Sequence, residues 1–287
     1  MGAKSKPSLK AVDFFCGPGG MSYGLSQAGI SVLAGIDNDA DCRETYVGNV
    51  PGGSFIKHDL CTLSAPELGR RLRLRQDDPT LVFAGCSPCQ FWSKIRTDRS
   101  KSIRTAFLLA QFQRFIRHFL PGFLVIENVP GLLTRESKSI LPGFVRFLEK
   151  LDYVLEDGII NAVNYGVPQN RKRYLLVGSR VSESVTLPPE EPNATLTVRS
   201  FLGPSNGFEK IAAGYRDESD FQHTASAMSA ENLERIRLTP KSGGNRFVWK
   251  DNDMLQIPAY RGRDDIFRDV YARMYWDRPA PSDPPKS

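Results

Sequence analysis

The chain has 287 residues, 40% hydrophobic and 24% charged, which is enough apolar material for one large domain with a smaller companion. Lys and Arg number 38 against 32 for Asp and Glu, a net charge of +6 with a pI near 9.1, and this favours a polyanionic partner. No apolar run approaches the roughly 18 residues of a membrane span, and the basic start MGAKSKPSLK lacks the apolar stretch of a signal peptide. Five cysteines scattered at positions 16, 42, 61, 86 and 89 do not read as a disulfide framework, so a cytoplasmic protein with free thiols and no membrane contact is expected.

Along the chain, short apolar runs closed by Gly, Asp, Asn or Cys alternate with helical patterns. LKAVDFF, SVLAGID, SFIKHDL, TLVFAGC and FLVIENV predict strands; GLSQAG, DADCRETYVGN, APELGRRLRLR and IRTAFLLAQFQRFIRHF predict helices between them. In the last helix, Ile103, Phe107, Ala110, Phe115 and Phe119 fall at helical spacing and are expected to face the core. This alternation predicts an α/β fold with a doubly wound, mostly parallel sheet, whose ligands gather at the carboxyl ends of its strands. A further strand, YLLVGS, follows QNRKR. Beyond residue 180 the composition turns to Pro, Ser and Thr and the periodicity weakens, which divides the chain into domains 1–180 and 181–287, the latter ending in the disordered-looking RPAPSDPPKS.

The strand ends carry the chemistry. The first closes in DFFCGPGGMSYG, whose Gly17, Gly19 and Gly20 let the backbone turn tightly and approach a ligand at a helix start. Asp37 closes the next strand 20 residues beyond Gly17, the spacing at which a carboxylate meets a ribose diol, and Asp59 closes the third. Glycine, acid and acid on successive strand ends suit an adenosine-containing cofactor. No GxxxxGK[ST] is present, so a nucleotide triphosphatase has no support.

GCSPCQFWS follows the fourth strand and puts Cys89 on a loop at this edge. Cys86 and Cys89 form a CxxC, which raises redox and zinc roles. Zinc fits poorly, because there is no second CxxC and His58, His118 and His223 lack paired spacing, so no metal is expected. Cys86 reads as a buried, inert thiol. ENV ends the fifth strand, and QNRKR adds Arg171 and Arg173; together these outline a pocket of one thiol, Glu127 and two guanidinium groups.

With DFFCGPGG, the acid in GIDND, HDL, the SPCQxxS segment, ENV and QNRKR in this order over roughly the first 180 residues, the chain resembles the DNA (cytosine-5) methyltransferases. The resemblance implies S-adenosyl-L-methionine as cofactor, with Phe15 near the adenine, Asp37 on the ribose hydroxyls, Asp59 on the adenine amino group, and Gly17, Gly19, Gly20 and Pro88 around the rest. It implies that Cys89 adds to C6 of a cytosine flipped out of double-stranded DNA, since C5 is too weak a nucleophile unaided. A protonated Glu127 would meet N3, Arg173 with Arg171 would hold O2 and the cysteine loop, and Asn128 would brace that loop. Gln90, Ser93 and Arg96 would contact the DNA, within a basic run KIRTDRSKSIR suited to phosphate.

The family pattern continues beyond a WDRPAP-type segment with two further motifs, whereas here SDPPKS follows; TVRS at 197–200 comes too early to replace the first. The resemblance therefore implies the larger part of an enzyme divided between two polypeptides. A catalytically incomplete, DNA-binding or regulatory relative is the competing class.

Overall fold

The computed structural model describes residues 8–86, 100–133, 141–191, 196–219, 223–264 and 271–281, excepting the side chains of residues 100–107 and 132. The chain divides into two compact units, Met1–Ile160 with Arg173–Pro188, and Asn161–Lys172 with Pro189–Ser287.

In the first unit, strand and helix alternate as β1 (Lys10–Phe14), α1 (Gly20–Gln27), β2 (Ser31–Asp37), α2 (Cys42–Asn49), β3 (Ser54–Lys57), α3 (Ala65–Leu72), β4 (Leu81–Gly85), α4 (Ser100–Phe119) and β5 (Phe123–Asn128). Then follow α5 (Leu141–Glu149), β6 (Val154–Asn161), the two-residue β7 (Gln169–Asn170) and β8 (Lys172–Ser179). Seven strands form one sheet in the order β3-β2-β1-β4-β5-β8-β6. The pairs β1·β2, β1·β4, β2·β3 and β4·β5 are parallel, and β5·β8 is antiparallel. This is the expected α/β architecture: chain order reverses beside β1, and sheets of this kind bind ligands outside the carboxyl ends at such a reversal.

Local chemistry accounts for the elements. Ser64 caps α3 by accepting from the Glu67 amide at 3.2 Å, with Glu67 in the first turn and Arg70 and Arg71 in the last, in accord with the helix dipole. Phe14 of β1 is fully buried and touches the rings of Phe83, Phe112 and Phe115 at centroid distances of 4.8, 4.9 and 5.2 Å. Each such buried ring contributes on the order of 2–3 kcal/mol, so this cluster pins α4 to β1 and β4. The buried stripe of α4 runs through Leu109, Phe112, Phe115, Ile116 and Phe119, while Ala110 is exposed. The expected stripe was therefore one position off at Ala110, because the i, i+3, i+4 path starts from Leu109; the side chains of Ile103 and Phe107 lie outside the described residues.

Helices α3, α4 and α5 feed the core on one face of the sheet. On the other, Tyr46 of α2 and Leu25 of α1 pack with Ala11, Val32, Phe55 and Val82. Phe123 and Val125 of β5 reach that second cluster only half-buried, and Leu175 and Val177, their neighbours on β8, belong to neither cluster.

The second unit is poorer in regular structure. In it, β7 pairs in parallel with β9 (Ala280–Pro281), and α6 (Val198–Phe201) is capped by Thr197 and bonds back through the Val198 and Arg199 amides to the carbonyls of Arg278 and Trp276. Helix α7 (Ala230–Leu238) presents Arg235 over the rings of Trp249 and Tyr271. Arg246 is completely buried against Phe247 and Tyr260. Arginine–aromatic stacking thus replaces an aliphatic core there. Among the described residues no helix is long and apolar enough to cross a membrane.

Candidate active site at the carboxyl edge of the sheet

Three strands meet at Glu127. In the parallel register Gly85 of β4 lies beside Ile126 of β5, so the next residue, Cys86, comes level with Glu127. Across the antiparallel pair Glu127 faces Leu175, which leaves Arg173 two residues along on the same face, within reach of a long side chain. The contacts follow from this register: Arg173 Nε donates to Glu127 Oε1 at 2.9 Å, and Cys86 Sγ donates to Glu127 Oε2 at 2.6 Å. The ion pair is largely shielded, with side-chain exposures of 14% for Arg173 and 22% for Glu127, so it is stronger than a surface pair. Asn128 is buried beside it, and its Oδ1 accepts from the Val129 amide at 2.9 Å, fixing the turn that leaves β5.

The glycine edge lies at the ends of β1 and β2. Phe15 takes a left-handed φ of 61°, turning the chain sharply out of β1, and its half-buried ring packs against the core beside Phe14. The Gly17 amide donates to Asp37 Oδ2 at 2.9 Å, while Asp37 Oδ1 accepts from the Asp39 amide at 3.0 Å. Gly19, at φ 99°, allows no side chain, since a Cβ there would stand 2.8 Å from the Tyr46 ring. Around Gly17 and Gly20 the space is open instead. Asp59 is exposed at the end of the loop after β3, its Oδ1 accepting from the Cys61 amide at 2.8 Å. A bare backbone edge, a partly buried ring and two carboxylates on adjacent strand ends fit an adenosine-bearing ligand, with Asp37 keeping one lone pair on each oxygen for a diol. Among the described residues no group of three or more His, Cys, Asp or Glu could hold a metal ion.

The model of the C-5 cytosine-specific DNA methylase family matches residues 9–263. The chain belongs to that family. It is 31% identical over 277 residues to the Type II methylase M.HgiDII of Herpetosiphon aurantiacus, covering 94% of this chain and 74% of that protein. With the Type II methyltransferase M1.HphI of Haemophilus parahaemolyticus it shares 31% identity over 242 residues, 83% of this chain and 63% of that one. Among solved structures, a DNA modification methyltransferase encoded within an E. coli prophage superposes at a TM-score of 0.62 with 20% identity, covering 96% of this chain and 82% of that one, a likeness of fold.

In its first unit the chain presents Glu127, Asn128 and Arg173 at the β5·β8 end of the carboxyl edge, and Phe15, Gly17, Gly19, Gly20, Asp37 and Asp59 at the same edge beside β1, β2 and β3. Arg171 belongs to the second unit, its side chain exposed and its carbonyl accepting from the Ala162 amide. Pro88, Cys89, Gln90, Ser93 and Arg96 lie outside the described residues. Sequence reasoning missed the role of Cys86, whose thiol bonds to Glu127; the available signal was its place one residue past a strand parallel to the one bearing ENV.

It also missed a buried network beneath the glycine turn. Asp13 of β1, 1% exposed, accepts from Ser22 Oγ at 2.7 Å, and Ser22 Oγ in turn lies 3.0 Å from the Tyr46 hydroxyl. Asp13 Oδ1 is buried with no hydrogen-bond partner. Burial pushes the Asp13 carboxyl up to about 6, against the lowering effect of Ser22, and burial likewise pushes up the Cys16 thiol and the Tyr46 hydroxyl. The lone acid in AVDFF, flanked by apolar residues, was the sequence signal.

Because folded Asp13 holds its proton more firmly than the unfolded chain, its contribution to stability is full below pH 3.8 and is lost as pH rises through about 6. Asp13→Asn cannot titrate. Its unfolding free energy relative to the parent, measured with urea from about pH 4 to about pH 7, is expected to shift in its favour by roughly 2 kcal/mol. A difference that does not vary with pH would contradict this assignment.

Proposed function

We propose that the chain transfers a methyl group to C5 of cytosine in a specific double-stranded DNA sequence, as the modification partner of a Type II restriction system. The observation that carries this reading is the Glu127 carboxyl group gripped at the sheet edge by Arg173 and Cys86, three residues before Cys89. The family's relatives, named as Type II methyltransferases, support the substrate class. S-adenosyl-L-methionine supplies an electrophilic methyl group carried on a sulfonium. Phe15, the glycine turn, Asp37, Asp59 and Pro88 would hold it.

The chain's own residues act on the base. The Cys89 thiolate forms a bond to C6, and the displaced π electrons run through C4 toward N3, where Glu127 donates a hydrogen bond or its proton. The enamine so formed is nucleophilic at C5, and after methylation loss of the C5 proton restores the double bond and breaks the bond to Cys89. Arg173 fixes Glu127 and, with Arg171, would bind O2. A stacked base exposes C6 poorly, so the cytosine is flipped out, and Gln90, Ser93 and Arg96 would hold the DNA around it.

Cys89→Ser is expected to abolish methylation while DNA binding persists, and DNA carrying 5-fluorocytosine is expected to trap the parent covalently. Retained methylation in Cys89→Ser would overturn the nucleophile's assignment. Glu127→Gln keeps the shape and removes the proton, so the single-turnover rate should fall by roughly 10²-fold or more; an unchanged rate would make Glu127 a strut.

A second polypeptide is part of the same reading. What supports it is the apolar strip on the Glu127 face, where Phe123, Val125, Leu175 and Val177 are each half-buried among the described residues and a further chain would find an apolar seat. Covering this strip would exclude water from the neighbouring Glu127–Arg173 ion pair. The purified 287-residue chain is expected to methylate mixed-sequence DNA poorly alone and well with the adjoining reading frame's product. Full activity of the lone monomer would refute the division.

A further inference from the structure

We propose that Cys86 is a positioning residue for the reaction: with Arg173, it clamps the Glu127 carboxyl group, each partner holding one oxygen, and so fixes the plane in which that group meets the base. The proposal rests on the cytosine-5 reading of the site. Its evidence is geometric. Arg173 Nε reaches Oε1 from β8 and Cys86 Sγ reaches Oε2 from the end of β4, so the carboxyl group of the middle strand is held from both neighbouring strands. A carboxyl group held through one oxygen only still rotates about its terminal torsion, which is broad and roughly two-fold. Two donors on opposite oxygens remove that freedom, and a second direction on each oxygen is left free to carry the proton that is donated to N3 of the cytosine.

The register makes Cys86 the residue for this task. Gly85 beside Ile126 places residue 86 level with Glu127, and the parallel pair sends both side chains to the same face. Cys86 is half-buried, between the interior and the site, and its single S–H can donate toward only one acceptor at a time. Of the other described cysteines, Cys16 is buried beneath the glycine turn and its thiol is pushed up by burial, Cys42 is half-buried at the start of α2, and Cys61 is exposed in the loop after β3. The CxxC spacing thus combines two duties in one short segment: Cys89 for covalent addition and Cys86 for orienting the acid.

The test compares Cys86→Ala and Cys86→Ser with the parent under single-turnover conditions. Losing one hydrogen bond to a charged group should slow methyl transfer in Cys86→Ala on the order of tenfold. DNA affinity should change by less than about twofold, because the contact acts on the chemical step. Cys86→Ser, whose hydroxyl can still donate to Oε2, should recover most of the rate. In the protein without DNA, the S–H stretching band assigned to Cys86 by difference from Cys86→Ser should move when Glu127 is replaced by Ala. An active parent with an unaltered Cys86→Ala rate, a serine variant as slow as the alanine one, or a thiol band indifferent to Glu127 would each overturn the positioning role alone. A parent that stays inactive even with the second polypeptide added would overturn the cytosine-5 reading and this proposal together. Thermal midpoints of both variants identify loss of fold, and a serine variant that folds and works while a folded alanine variant lags is the expected outcome.

Discussion

The antiparallel placement of β8 beside β5 is the constraint on which the site depends. Every other assigned pair in the sheet's first five strands is parallel, so those strands all finish at one edge. A strand running the opposite way begins at that edge, and β8 therefore delivers its first residues where β5 delivers its last. Asn128 pairs with Tyr174 and Glu127 with Leu175, which brings Arg173 to Glu127 without any loop having to carry it there. An arginine supplied by a strand is more firmly placed than one supplied by a loop, and the ion pair it forms is correspondingly shielded.

The same edge is tuned differently a few strands away. At β1 and β2 the chain keeps side chains out of the way: Phe15 and Gly17 turn with positive φ, Gly19 lies tightly over Tyr46, and the Gly17 amide is tied to Asp37. Beneath this turn lies a costly feature, a buried carboxyl group with one unsatisfied oxygen. Asp13 orders α1 through Ser22 and, through the same hydroxyl, meets Tyr46 of α2, so the two helices flanking the turn are joined under it. Buried polar groups of this kind trade stability for a defined arrangement.

Much of this was legible in the sequence because it depends on periodicity and punctuation. The strands β1 to β5 and β8 are apolar runs closed by turn residues, and the acids and glycines of the site stand at their ends. What depends on register was not legible. Nothing in GCSPCQ alone says that Cys86 lies level with Glu127; that follows from how β4 slides against β5. Helix α5 was hidden by Pro142 and Gly143 near its start, and β6 by a largely exposed pattern with charged residues in its middle. Ala110 reads as a core residue in the sequence because a small apolar side chain fits a stripe on either side of its true path, yet it is exposed. In the second unit, buried Arg246 and half-buried Arg235 stack on aromatic rings, so residues that look like surface charge in the sequence take part in packing.

The central claim is that Glu127 and Arg173 work as one unit set by the β5·β8 register. A double-mutant cycle on single-turnover methyl transfer, with Glu127→Gln, Arg173→Lys and the combined variant, measures this directly. If the pair acts as a unit, the double variant should be little slower than the slower single one, a departure from multiplicative behaviour on the order of tenfold or more. Rate losses that simply multiply would show that the two residues act independently, and the register would then have no catalytic consequence.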